Sequence, residues 1–165
     1  MVLPGDLPRI TRNPVHVVLD NIRSAFNVGS IFRTADAGAV EHLHLCGMTA
    51  YPPNLKLSKT ALGATDYVPW THHLRTDETL DWLDSQGIPC YAVEATGEAV
   101  SHTSVEWPHP VAIVFGNEVT GIAPEVLSRC AKTVRIPMRG HKNTLNVATA
   151  FGVVLFEILR QWKAV

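Results

Sequence analysis

RIPMRGHKNTLNVATA, residues Arg135–Ala150, joins a strand to a helix through a polar loop. The apolar TVRIPM (Thr133–Met138) reads as the strand, Gly140 lies within the loop, and a helix is expected from Thr144 to Trp162. The loop gathers Arg139, His141, Lys142, Asn143, Thr144 and Asn146, none of which a hydrophobic core requires. Strand-to-helix joints of this kind build α/β proteins, which bind their ligands at the carboxyl ends of the strands.

Four further strands are expected upstream. VHVVLD (Val15–Asp20) is predominantly apolar, as a strand buried on both faces is, and VAIVFGN (Val111–Asn117) is the most apolar of the set. EHLHLCG (Glu41–Gly47) alternates, placing His42 and His44 opposite Leu43 and Leu45, and IPCYAVEA (Ile88–Ala95) completes the set. Between them the spacing predicts a helix from about Val28 with Ile31, Ala35 and Gly38 on one face, and a short helix over Lys56–Leu62. Another is capped by Thr76 or Asp77 and stopped by Gly87, and a fourth spans Ala123–Cys130 with Pro124 in its first turn. Alternating strands and helices predict an α/β fold with a mostly parallel sheet and helices on both faces. With no internal repeat or Gly/Ser-rich linker, residues 1–165 read as one domain.

Composition removes several classes. A hydrophobic content of 46% with 18% charged residues fits a folded globular chain and not a disordered one. The longest apolar run, near Phe151–Leu159, is broken by Gly152 and Glu157 and is too short for a bilayer, so no membrane partner is expected. The opening MVLPGDLPRITRN lacks the continuous apolar region of a signal peptide, so the expected location is cytoplasmic. Cys46, Cys90 and Cys130 are odd in number and far apart, which argues against a disulfide framework or zinc site. His42, His44, His72 and His73 lack a Cys, Asp or Glu at a familiar ligand spacing, so no metal is expected. Ser24, Ser30 and Ser128 lack a nucleophile-elbow context, and Trp70, Trp82 and Trp107 read as core or interface residues. The net charge of −1 provides no general basic footprint, so any contact with nucleic acid must use local positive charge.

Three places combine Gly, Asn and a charged residue just after a strand. In Asn27-Val28-Gly29, with Arg33 further on, Asn27 suits a helix cap and Gly29 a close backbone approach. Phe115-Gly116-Asn117-Glu118-Val119-Thr120-Gly121 has a Gly near each end of a polar loop, but Ile122 follows where a P-loop needs Lys. The third is Arg135–Ala150. Taken singly, these are also a capped helix with an exposed Arg, an ordinary turn, and a solvated loop with Asn143 or Thr144 as the helix cap.

Taken together, NVGSIFRTADA, IVFGNEVTGI and RIPMRGHKNTLNVATA resemble, in order and separation, the three motifs of the SpoU/TrmH branch of the SPOUT RNA methyltransferases. The likeness covers nearly the whole chain from Val15 onward. It departs at Thr144, where the family usually has Ser; the hydroxyl remains, on a β-branched side chain with fewer rotamers. About a dozen residues precede the first strand, so the N-terminal substrate-binding domain of many rRNA-directed members is not expected.

The resemblance implies S-adenosylmethionine as methyl donor, a homodimer and a C-terminal trefoil knot. It also implies methylation of a ribose 2′-hydroxyl in structured RNA, with tRNA expected over rRNA. A base methyltransferase of the same superfamily, a non-catalytic RNA-binding module and an unrelated small-molecule-binding protein are the alternatives. The implied catalytic residues are Arg33, Asn27, Glu118 and Thr144, with Glu118 orienting the second loop or the substrate. The implied donor site comprises Ala95, Thr96, Gly97, Gly116, Asn117, Gly121, Ile136, Met138, Thr144, Leu145 and Asn146. Arg33 is the family's hydroxyl-activating residue. Because a guanidinium holds its proton, it either stabilises the developing alkoxide and a nearby phosphate or sits where its pKa is depressed. Local charge assigns RNA contact to Arg23, Arg33, Lys56, Lys59, Arg139 and Lys142.

Overall fold

A computed structural model describes residues 9–165; residues 1–8, which carry much of the reading of the N-terminus, lie outside them. The elements run β1 (Asn13–Asp20), α1 (Ala25–Ala37), β2 (Val40–Cys46), α2 (Leu55–Ala61), a 3-10 turn (Ala64–Asp66), β3 (Trp70–His73) and α3 (Thr76–Ser85). They continue with β4 (Cys90–Val93), β5 (Val100–Ser101), β6 (Val111–Gly116), α4 (Pro124–Leu127), β7 (Lys132–Arg135) and α5 (Val147–Gln161). The seven strands form one sheet in the order β3-β2-β1-β6-β4-β7-β5. Every strand pairing among the described residues is parallel, with Val17 opposite both Leu43 and Ile113.

Strand alternation divides the core between the two faces of the sheet. Val15, Val17 and Leu19 of β1 pack with Ile31 and Phe32 of α1, Leu57 of α2 and Phe151 and Leu155 of α5. Val18 points the other way, into a cluster with Leu80 and Leu83 of α3 and Val126 of α4. Phe115 and Phe151 meet edge-on with ring centroids 5.8 Å apart, the arrangement favoured by aromatic quadrupoles. Gly29 lets α1 and α2 touch: a Cβ there would lie 2.2 Å from the Leu57 carbonyl oxygen.

Several expected boundaries move. α1 begins a turn early because the Ser24 hydroxyl accepts the Asn27 N–H at 3.3 Å, so Ser24 is the cap and Asn27 lies in the first turn. α5 begins at Val147 rather than Thr144. The Asn146 side-chain oxygen accepts the N–H groups of Ala148 (2.9 Å) and Thr149 (3.3 Å), leaving Asn143 and Thr144 in the loop. Neither Thr76 nor Asp77 caps α3; Thr76 instead donates its hydroxyl to buried Asp20 at 2.6 Å. β7 ends at Arg135, placing Ile136, Pro137 and Met138 beyond the last pairing, where a proline has no N–H to contribute. β3 and β5, absent from the sequence reading, are short edge strands with little apolar signal. On α5, Phe151, Val154, Leu155, Ile158 and Leu159 are buried in the core, and Val153 and Phe156 are 38% and 41% exposed. No helix among the described residues is long and apolar enough to cross a membrane.

Candidate active site

A cavity of about 530 Å³ opens where β4, β6 and β7 end, and the loop leading into α5 covers one side. The loop after β6 forms its floor. The Asn117 side-chain oxygen accepts the N–H groups of Val119 (2.9 Å) and Thr120 (3.1 Å), and the Gly121 N–H closes the turn on the Asn117 carbonyl at 2.8 Å. Gly121 has φ +74°, and a Cβ on Gly116 would lie 2.3 Å from the Ile122 nitrogen, so both positions require glycine. Glu94, at the end of β4, braces this turn by accepting the Ile122 N–H at 3.0 Å.

Three distant segments meet through side chains at the cavity mouth. The Glu118 carboxylate accepts the backbone N–H groups of Arg23 (2.7 Å) and Ser24 (3.1 Å) and the Asn27 side-chain N–H (3.0 Å). Burial works to raise the Glu118 pKa, but hydrogen bonds from Asn27, Arg23 and Ser24 outweigh it and hold the group below its ordinary value. The carboxylate also sits at the N-terminus of α1, where the helix dipole favours an anion. Asn146 donates its side-chain N–H to Asn27 Oδ1 at 3.0 Å while its own oxygen caps α5. Glu118 therefore locks the β6 loop to α1, and Asn146 locks α1 to α5.

Of the expected donor-site residues, Ala95, Gly116, Asn117, Gly121, Ile136, Met138, Thr144, Leu145 and Asn146 line the cavity. Thr96 and Gly97 do not, because the chain turns away after Ala95. Of the implied catalytic residues, Asn27, Glu118 and Thr144 line this cavity and Arg33 does not. Arg33 lies six positions after Asn27 on α1, which turns it about 120° away around the helix. Arg33 faces a second, open hollow of about 610 Å³ with Lys59, Thr60, Leu62 and Phe156.

The expected RNA-contacting residues are all exposed but fall in different places. Arg33 and Lys59 share the second hollow, and Lys56 stands on α2. Arg139 and Lys142 lie on the loop beside the cavity, and Arg23 lies where Glu118 grips the backbone. Sequence reasoning missed Glu94, although a carboxylate directly before Ala95 at a strand end was a usable signal. It also left Val93, Phe115 and Arg135 out of the donor site, and Asn143, singled out in the loop, was given no place in it. Among the described residues, no group of three or more His, Cys, Asp or Glu is placed to hold a metal.

The architecture is that of an α/β ligand-binding domain, with its cavity at the carboxyl ends of a parallel sheet. The SpoU rRNA Methylase family profile matches residues 14–156, and the chain belongs to that family. It is 34% identical over 149 residues to the 23S rRNA (guanosine-2′-O-)-methyltransferase RlmB of Vibrio parahaemolyticus; this covers 90% of the chain and 60% of that protein. The chain thus spans about three-fifths of that relative's length. Its fold matches the SpoU methyltransferase AviRb of Streptomyces viridochromogenes, solved in complex with the cofactor AdoMet, with a TM-score of 0.85 and 27% identity over 94% of this chain and 63% of that one. It also matches a solved protein described by the 2-OH methylation of C/U34 on tRNA, with a TM-score of 0.82 and 32% identity over 92% of this chain and 97% of that one.

Proposed function

We infer that the chain transfers a methyl group from S-adenosylmethionine to a ribose 2′-hydroxyl in RNA, acting on a pyrimidine at position 34 of tRNA. The observation that carries the chemistry is the Asn27–Glu118–Asn146 network, which joins all three family segments at the mouth of one cavity. The choice of tRNA rests on the C/U34 protein, nearly all of whose length this chain covers. A homodimer with a C-terminal trefoil knot, working in the cytoplasm, belongs to the same reading and rests on family membership.

The cavity fits the donor. About 530 Å³ is within the range of small-molecule sites. Its wall offers Phe115, Ile136 and Leu145 to an adenine ring, and Gly116 lets the Gly121–Ile122 backbone close against the end of β6. When bound, S-adenosylmethionine supplies an electrophilic methyl: the 2′-oxygen forms the new O–C bond as the C–S bond breaks, leaving S-adenosylhomocysteine, and the hydroxyl proton passes to solvent. Glu94 and Asn117 hold the β6 loop in shape, and Asn27, Glu118 and Asn146 keep the loops in register. Fixed geometry of this kind removes entropy from the barrier, worth up to roughly 7–11 kcal/mol in well-oriented intramolecular cases.

Arg33 stabilises the developing alkoxide together with a neighbouring phosphate through its guanidinium fork. Since it lies outside the cavity of its own chain, it reaches the reaction from a second copy. Exposed Phe156 and Leu62 beside it supply the apolar surface such a contact requires. The test is a modified-nucleoside profile of total tRNA and rRNA with and without the gene. Loss of a 2′-O-methylpyrimidine from tRNA is expected; loss of a methylated base, or no change, contradicts the reading.

A further inference from the structure

The loop between β2 and α2 carries an aromatic surface outside the donor cavity. Tyr51 is 47% exposed, and its ring rests on His72 of β3 with centroids 4.1 Å apart and planes 33° apart. Trp70 lies further along the same strand, 6.3 Å from the Tyr51 ring. His72 is held in turn, its Nε2 lying 3.0 Å from the Gly47 carbonyl oxygen.

The approach to Tyr51 is stapled to the end of β1. The Met48 N–H donates to Asn21 Oδ1 at 2.9 Å. The buried Thr49 hydroxyl donates to the Cys46 carbonyl at 2.7 Å and accepts the Ile22 N–H at 3.0 Å. Asn21 leads directly to the cavity, because Asn117 donates its side-chain N–H to the Asn21 carbonyl at 2.9 Å and Asn117 lines the cavity wall. The exposed Met48 side chain bridges the interval, with its sulfur 3.8 Å from Asn117 Nδ2. A continuous bonded series therefore connects the aromatic pair to the cavity rim, and the exposed Lys56 follows in α2.

A tyrosine fixed in this way offers a π-face at little entropic cost, and sequence-tolerant stacking is how proteins hold unpaired bases. Bringing a ribose hydroxyl into a cavity pulls its nucleotide away from its neighbours, leaving an adjacent base without a stacking partner. We propose that Tyr51, backed by His72, is the stacking platform for an unpaired base next to the methylated nucleotide, and so positions the RNA strand across the cavity mouth. This rests on the RNA methyl-transfer reading and adds a specificity-determining residue to it.

The test uses an anticodon stem-loop RNA, alongside versions carrying a single abasic site at each loop position in turn. Binding is measured by fluorescence anisotropy and methyl transfer by the KM for RNA, for the wild type, Tyr51→Phe and Tyr51→Ala. Tyr51→Ala is expected to weaken binding and raise KM about tenfold, Tyr51→Phe to remain near wild type, and affinity for S-adenosylmethionine to be unchanged. At one loop position the abasic site should cost the wild type about tenfold and Tyr51→Ala nothing further; a residue that only stabilises the fold would not produce this coupling. A KM and affinity within twofold of wild type for Tyr51→Ala, or additive penalties at every position, would overturn the platform. Tyr51-dependent binding without methyl transfer would overturn the enzymatic reading and keep the platform. Methylation indifferent to Tyr51 would do the reverse, and a wild type that bound no RNA would end both.

Discussion

Asn146 donates a hydrogen bond to Asn27 at 3.0 Å although 119 residues separate them in the chain. Asn27 spends its own N–H on Glu118, so one amide joins the start of α1 to both other loops. Replacing Asn27 with Ala leaves Glu118 and Asn146 each without that partner, at a cost of about 1–3 kcal/mol. Turnover is expected to fall at least tenfold, with a smaller loss in affinity for S-adenosylmethionine, measured by single-turnover kinetics and calorimetry. Asn27→Asp should lower the melting temperature further above pH 6, because it sets a second carboxylate against Glu118.

Arg33→Ala should bind the donor as the wild type does and lose roughly 100-fold or more in turnover, as sites deprived of a transition-state charge partner do. The decisive version mixes subunits. Heterodimers of Arg33→Ala with Glu118→Ala should regain activity that neither homodimer shows, since one of the two sites would then be intact. If mixing restores nothing, Arg33 does not act across subunits.

A histidine cluster makes folding sensitive to acid. Burial, followed by His42, His16 and His73, pushes His44 down to about 3, and burial with His16 and His73 pushes His42 down to about 4 against the pull of Glu41. His16 Nδ1 lies 3.1 Å from His44 Nε2, and Trp82 packs against both rings. An unfolded histidine titrates near pH 6.5, so from 6.5 down to about 4 for His42 and about 3 for His44 the unfolded chain binds more protons than the folded one. Stability is therefore complete above that window and is lost as pH falls through it. The melting temperature should drop by several degrees between pH 7 and pH 5, and His44→Gln should flatten that dependence whatever its effect at pH 7.

Arg139 and Lys142 stand exposed on the loop beside the cavity. Neutralising both should weaken RNA binding and reduce the slope of log K against log salt by roughly 1.5, near the value for two lost phosphate contacts. An unchanged slope would remove them from the RNA surface.

The elements most legible in the sequence were those buried on both sides. Val15–Asp20 and Val111–Gly116 are central strands, the second an unbroken apolar run and the first interrupted only by His16 before its closing Asp20. β3 was hidden because Trp70–His73 lies at the sheet edge and carries polar residues, and β5 because two residues make no pattern. Most of the cavity lining came from the resemblance of three motifs to one family, and of these residues Gly116 and Gly121 stand where the backbone itself requires glycine. The exact cap was not legible: Ser24 and Asn146 won over Asn27 and Thr144 through the local direction of their side chains, which spacing does not encode. Arg33 could be placed on a helix face, but not beside α5 and Lys59, because that neighbour is set by the packing of distant segments.

The most direct test supplies S-adenosylmethionine labelled in its methyl group, with purified tRNA and the wild-type protein, and then digests the product with alkali. A 2′-O-methyl group protects its phosphodiester, so label should be recovered in an alkali-resistant dinucleotide whose first residue is a pyrimidine, and should be lost with Asn27→Ala. Label released in mononucleotides, or no transfer to RNA, would contradict the assignment of this cavity to ribose methylation.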